Sequence, residues 1–180
     1  MRSLAAMSQE RNTRKVEVRP PTSADAPEFT SAMLASRSLH EPWVSPPLDT
    51  DQFALWLARC EDGRCVHRLV TLDGRIAGFV TLSEIVRGAF QNAYLSYAAV
   101  AARAGEGTMS EGAALVIDEA FGSLGLHRLE ANVQPANERS LALVRRLGFV
   151  REGFSERYLY VAGQWRDHER WALRAEQWIR

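Results

Sequence analysis

Three turn signals set between apolar, strand-like runs constrain this chain more than any other feature. Val66–Leu72 and Ile76–Leu82 flank Asp73-Gly74, a pair suited to a two-residue hairpin because both central positions need positive φ. Arg87-Gly88 stands between the second run and Asn92–Val100, and Ala162-Gly163 between Tyr158–Val161 and Trp165–Leu173. Helical stretches are interleaved with these runs. One opens at Ser23, a candidate cap, and reaches about Arg37. A second is capped by Asp49 and reaches about Cys60, with Phe53, Trp56 and Leu57 on one face. A third spans Ser110–Leu124. A fourth is capped by Asn137, runs to Leu147 and stops at Gly148. Short strands at Val16–Arg19 and Leu126–Val133 complete the order. A doubly wound parallel sheet has no use for three hairpins, so the order predicts a mixed α/β (α+β) architecture.

With 180 residues the chain suits one domain, here 16–180. Residues 1–15 read as a disordered tail without the apolar run of a signal peptide. The longest mostly apolar stretch, Ala93–Ala102, is far short of the roughly 20 residues a membrane span needs. Twenty-two basic and twenty-two acidic residues give no net charge, so the chain lacks the field used for direct nucleic-acid binding. Lys15 is the one lysine, which excludes a Gly-Lys-Ser/Thr phosphate loop and leaves no lysine outside the tail for Schiff-base chemistry. Cys60 and Cys65, spaced C-x4-C, and the scattered His40, His67, His127 and His168 show no metal-ligand spacing. Reduced thiols in a cytoplasmic protein are the first expectation, a Cys60–Cys65 bridge the alternative.

The chemistry concentrates after Asn92. A strand, a loop with Gly105 and Gly107, and a long helix follow in order. Glycines admit a ligand close to the backbone, and the first helical amides are unpaired donors at a positive dipole end, an arrangement that suits pyrophosphate. Pro135-Ala-Asn137-Glu-Arg-Ser140 and Leu147-Gly148-Phe149 follow at a set interval. With these motifs the sequence resembles the GNAT superfamily of acyl-CoA-dependent N-acetyltransferases. Within it, Ser38–Trp43, Ile85–Phe90 with Ala93–Tyr97, and Gly163–His168 resemble the RimJ/RimL group, the RimJ branch above all, whose members acetylate N-terminal α-amines of ribosomal proteins.

The resemblance implies a twisted, mostly antiparallel mixed sheet, splayed between its fourth and fifth strands and flanked by helices, with acetyl-CoA in the split and no metal. Pantetheine would meet Ala98, Ala99 and Val100. The pyrophosphate would meet Arg103, Ala104, Gly105, Glu106, Gly107 and Thr108, with Asn137 and Ser140 beside the cofactor. Ser140 would donate a hydrogen bond to the departing thiolate, or serve as a local helix cap. Four positions depart from the family pattern: Ala102 and Glu106 stand where basic residues are common, Val144 replaces a general-acid tyrosine, and Asn132 replaces a glutamate base.

The remaining base candidates are Glu130 and Glu84. Leu129, Ala131 and Val133 alternate with Glu130, Asn132 and Gln134, so strand geometry puts the polar three on one face. An α-amine demands little of a base, because about a third of such amines are neutral at pH about 7.5, against about one lysine in a thousand. Trp43, Phe90 and Tyr97 are candidates for a wall holding an N-terminal peptide, with Arg87 and Asn132 on its polar groups. His168 beside Asp167 reads as a satisfied hairpin pair. The implied partner is a protein N-terminus, such as that of a small-subunit ribosomal protein, with the enzyme a monomer or homodimer. The alternatives are acetylation of a small amine or polyamine, which an acidic cleft would favour, and a non-catalytic acyl-CoA sensor.

Overall fold

The computed structural model describes residues 14–179; most of the expected tail lies outside them. β1 (Val16–Arg19) leads into a single 3-10 turn and then α1 (Ala26–Ala35), α2 (Arg37–His40) and α3 (Thr50–Ala58). β2 (Val66–Leu72), β3 (Arg75–Val86) and β4 (Asn92–Ala99) follow as two hairpins, and then α4 (Thr108–Phe121). β5 (Arg128–Val133), α5 (Glu138–Arg146), β6 (Val150–Val161) and β7 (Gln164–Arg174) complete the chain. The strands form one seven-stranded sheet in the order β1-β2-β3-β4-β5-β7-β6. Every neighbouring pair is antiparallel except β4–β5; the three hairpin signals account for β2–β3, β3–β4 and β6–β7.

The cap at Asp49 is present: its carboxylate accepts from the Gln52 amide at 2.8 Å. The first cap is displaced from the expectation. Thr22, not Ser23, precedes the 3-10 turn, and its N–H donates to Asp25 Oδ2 at 2.7 Å. The expected helix to Arg37 breaks at Ser36, which donates its hydroxyl to the Ala32 carbonyl and accepts the Ala101 amide at 2.8 Å. β6 begins eight residues before the expected Tyr158. It is an edge strand with no fully buried residue, so no apolar alternation marks its first half.

Helices cover both faces of the sheet. On one, α4 and α5 pack Val116, Ile117, Leu141 and Val144 against Val70, Val80, Leu129 and Leu173. Gly112 permits the approach of α4: a Cβ there would lie 2.4 Å from Val70 Cγ1. On the other, α1 and α3 bury Phe29, Met33, Phe53 and Trp56 against Leu69 and Phe79. His67 stacks on Trp56 at 3.7 Å between centroids. Its Nε2–H donates to the Trp56 carbonyl, and its Nδ1 meets Thr81 Oγ1, each at 2.8 Å. Burial pushes the His67 pKa down to about 4.

One expectation about the cysteines is corrected. Cys60 and Cys65 are joined in a disulfide, in place of the reduced pair expected first, because the turn after α3 brings their Cα atoms within 4.4 Å. The fold also gathers Cys60, Cys65 and His67 donor atoms within 4.8 Å of one another, a grouping that linear spacing hid. The disulfide takes both sulfurs, and both imidazole nitrogens have partners. Among the described residues no helix is long and apolar enough to cross a membrane.

Candidate active site

The β4–β5 ladder is short. Asn92, Ala93 and Tyr94 pair with Arg128, Leu129 and Glu130, and the two strands then part. Each flank of the gap is held by its outer neighbour, β4 by β3 as far as Ala99 and β5 by β7 as far as Val133. The result is a cleft of about 800 Å³ lined from β4, β5, His168 of β7, the loop before α4 and that helix's first turn, one face of α5, and α2 with the segment after it. The splay implied for strands four and five is therefore present.

The loop before α4 is built from Arg103–Gly107. Gly105 and Gly107 have φ of 86° and 80°, and a Cβ at either would meet nothing within 4 Å. They are needed for backbone conformation and an open approach, not for packing. Gly107 is the residue before α4, so the first amides of that helix point out of the loop. Arg103, Ala104, Gly105 and Gly107 line the cleft. Glu106 does not; its carboxylate lies 3.9 Å from Arg103 Nη1 on the solvent side. Thr108 is fully buried beneath the loop, with its hydroxyl bonded by Arg14 at 2.5 Å.

Ala98 and Ala99 line the cleft, whereas Val100 does not. The Val100 amide is committed to the Ala77 carbonyl at 2.7 Å. His40 Nε2–H donates to the Ala99 carbonyl at 2.8 Å, and the His40 carbonyl accepts from the Trp43 amide at 2.7 Å. His40 thus ties the proline-rich loop, and Trp43 with it, to the end of β4.

Asn137 caps α5 through its side chain, which accepts the Ser140 amide at 3.2 Å. That leaves the Ser140 hydroxyl free of capping duty. It lies 2.6 Å from the Tyr97 hydroxyl. The sequence placed these two residues in separate roles; the fold makes them one pair across the gap. Burial pushes the Tyr97 phenol up to about 12, the Ser140 hydrogen bond opposing it, so the phenol keeps its proton at neutral pH.

The other sequence-derived candidates divide. Asn132 and Gln134 line the cleft, and Asn132 Oδ1 and Gln134 Nε2 are buried without a partner among the described residues. Glu130, on the same strand face, does not line it. Arg128 Nε holds its carboxylate at 3.0 Å and also grips Glu152 through two nitrogens, which lowers the Glu152 pKa. Glu84 is exposed at a positive-φ position in a β3 irregularity, outside the cleft. Arg87 donates to the Leu124 carbonyl, and Phe90 is 67% exposed; neither reaches the cleft, because both lie at the closed end of β4. His168 is the residue that sequence reasoning set aside. It is 3% exposed, lines the cleft, and donates from Nδ1 to the Arg166 carbonyl at 2.9 Å.

The family model described as "Acetyltransferase (GNAT) domain" matches residues 15–150. The chain belongs to the GNAT acetyltransferase family. Among relatives of this GNAT protein, Probable N-acetyltransferase YjcK of Bacillus subtilis is 41% identical over 97 residues, 54% of each chain. The [Ribosomal protein uS5]-alanine N-acetyltransferase of Escherichia coli is 40% identical over 106 residues, 59% of this chain and 55% of its own. The chain spans about half the length of these curated relatives in the matched segments. Mycobacterium smegmatis RimJ, solved in complex with CoA-disulfide, superposes with a TM-score of 0.85 at 31% identity, covering 92% of this chain and 84% of that one. The RimJ-type resemblance read from the motifs is borne out by these relatives.

Proposed function

We propose that this GNAT protein transfers an acetyl group from acetyl-CoA to the N-terminal α-amine of a protein. The observation that carries the reading is the charge of the cleft wall. Among the described residues its charged lining groups are Arg103, Arg139 and Arg146 against one carboxylate, Glu138. A polyamine acceptor needs carboxylates along its length, whereas a phosphate-bearing acyl donor and a singly charged peptide end do not. The RimJ-type relatives support a protein acceptor, with a cytoplasmic small-subunit ribosomal protein as the natural class.

The residues suit acetyl-CoA as donor. Loop amides at Gly105–Gly107, the start of α4 and Arg103 fit a pyrophosphate, and the edge at Ala98–Ala99 fits pantetheine. The amine attacks the thioester carbonyl directly, aided by positioning in the gap. Ser140 gives a hydrogen bond to the leaving sulfur, and Tyr97 stands behind it as a protonated donor. Backbone amides of β4 face the developing oxyanion. Trp43 and Asn132 hold the peptide end.

The test is thiol release from acetyl-CoA with mass spectrometry of products, using peptides that begin with alanine, serine or threonine. An N-terminally blocked peptide with an internal lysine, and spermidine, serve as competitors. Acetylation confined to free α-amines is expected. Turnover only on spermidine or lysine would overturn the acceptor class. CoA-dependent thermal stabilisation without turnover on any acceptor would overturn catalysis in favour of a sensor.

A further inference from the structure

Neither carboxylate that the sequence offered as base is placed to serve as one, since Glu130 is held by Arg128 and Glu84 is outside the cleft. We propose that His168 is the proton acceptor of the reaction, taking the surplus proton of the attacking amine on Nε2, directly or through one water. The inference rests on the acetyl-transfer reading above but not on which amine is the acceptor.

Three observations converge on this residue. First, β7 and β5 pair in register as far as Val133 and Glu169, and Gln134 and His168 are the next residues of the two strands. His168 therefore stands on the same strand face as Asn132 and Gln134, whose buried, unpartnered polar atoms line the cleft with it. Second, a carbonyl can only accept, so the bond to Arg166 fixes the proton on Nδ1 and leaves the Nε2 lone pair for a ligand. Third, the surroundings favour the neutral ring. Burial lowers the His168 pKa, outweighing the opposing effects of the Arg166 carbonyl and Asp167. The titratable groups around it are Asp167 on its own strand, whose carboxylate accepts the Arg157 amide at 2.8 Å, the flanking guanidinium groups of Arg166 and Arg170 two residues to either side on β7, and Tyr158 on β6, whose ring meets the imidazole edge-on at 6.2 Å. Gln134, just past the end of β5, carries no charge.

The step balances. The amine nitrogen forms a bond to the acetyl carbon, and the carbonyl π pair moves to oxygen. The nitrogen proton passes to Nε2. Collapse of the oxyanion breaks the carbon–sulfur bond, the thiolate leaves under the Ser140 hydrogen bond, and the imidazolium returns its proton to solvent. A neutral imidazole suits a weakly basic α-amine, since the proton transferred belongs to the acidic ammonium formed on attack.

The full chain, His168→Gln and His168→Ala are compared with the best acceptor peptide, alongside melting temperatures. In both variants kcat should fall about 100-fold, while KM for acetyl-CoA stays within about threefold. The acid limb of the kcat–pH profile should disappear, and added imidazole should restore part of the His168→Ala rate. Retention of kcat within about threefold in His168→Gln would overturn the proposal. So would a loss that follows melting temperature and is not rescued by imidazole. Absence of wild-type turnover on every acceptor would remove both this proposal and the acetyl-transfer reading, whereas turnover by wild type and His168→Gln alike would remove this one alone.

Discussion

The Tyr97–Ser140 pair gives the sharpest test of how the cleft handles the leaving thiolate. The two hydroxyls are 2.6 Å apart, and the phenol, raised to about 12 by burial, is about 10⁵-fold more protonated than ionised at pH 7. Either hydroxyl can donate in this pair; the proposed mechanism uses the orientation in which Tyr97 donates to the Ser140 oxygen and the Ser140 proton is left for the departing sulfur. If Ser140 meets the developing charge as proposed, Ser140→Ala should lower kcat about 100-fold, or about 2.7 kcal/mol of transition-state stabilisation. Tyr97→Phe removes one hydrogen bond behind it, worth about 1 kcal/mol and so about fivefold in kcat. Because Tyr97 works through Ser140, the double variant should match Ser140→Ala alone, with a coupling energy near 1 kcal/mol. Each single variant should lower the melting temperature by about 2–4 °C for each kcal/mol of stability lost. The assay is thiol release at saturating acetyl-CoA with thermal unfolding in parallel. Multiplicative losses in the double variant would refute the relay, and a Ser140→Ala rate within threefold of wild type would refute the role of Ser140 itself.

Three further outcomes follow from the structure. His67 has a folded pKa of about 4 against 6.5 in the unfolded chain, so the unfolded state binds more protons between those values. Stability is fully present above pH 6.5 and is lost as pH falls toward 4, by at most about 3 kcal/mol; urea unfolding at stepped pH should show that slope, and His67→Gln should flatten it. Gly107 holds φ of 80° at the mouth of α4, so Gly107→Ala strains the loop by about 1–2 kcal/mol and should weaken CoA binding in calorimetry about tenfold; unchanged affinity would disconnect the loop from the cofactor. In Gly112→Ala the new Cβ would sit 2.4 and 2.6 Å from the two Val70 methyls, which should lower stability by about 1–3 kcal/mol, and adding Val70→Ala should restore part of it.

The hairpins, the capped helices and the glycine loop are local features, each written within a few neighbouring residues. Asp73, Gly74, Gly105 and Gly107 take the positive φ their turns demand, and Asn137 caps α5. For the same reason the sequence read the first half of β6 poorly. Its residues are exposed, and only the ladder to β7 makes them a strand. Ser36 likewise ends α1 through a bond to Ala101, 65 residues away.

The sequence by itself determined the order of elements, the family, and a set of residues able to meet an acyl-CoA. Periodicity, capping and φ preferences act over short range and survive in a linear reading. The tertiary structure alone decided which polar groups meet. It gave Glu130 to Arg128, left Glu84 in solvent, joined Cys60 to Cys65, set Tyr97 against Ser140, and brought His168 beside Gln134. Such pairings depend on strand register and on which strand lies beside which. A one-residue slip in register would turn a whole polar face away from the cleft, and that choice is made by packing across the entire sheet.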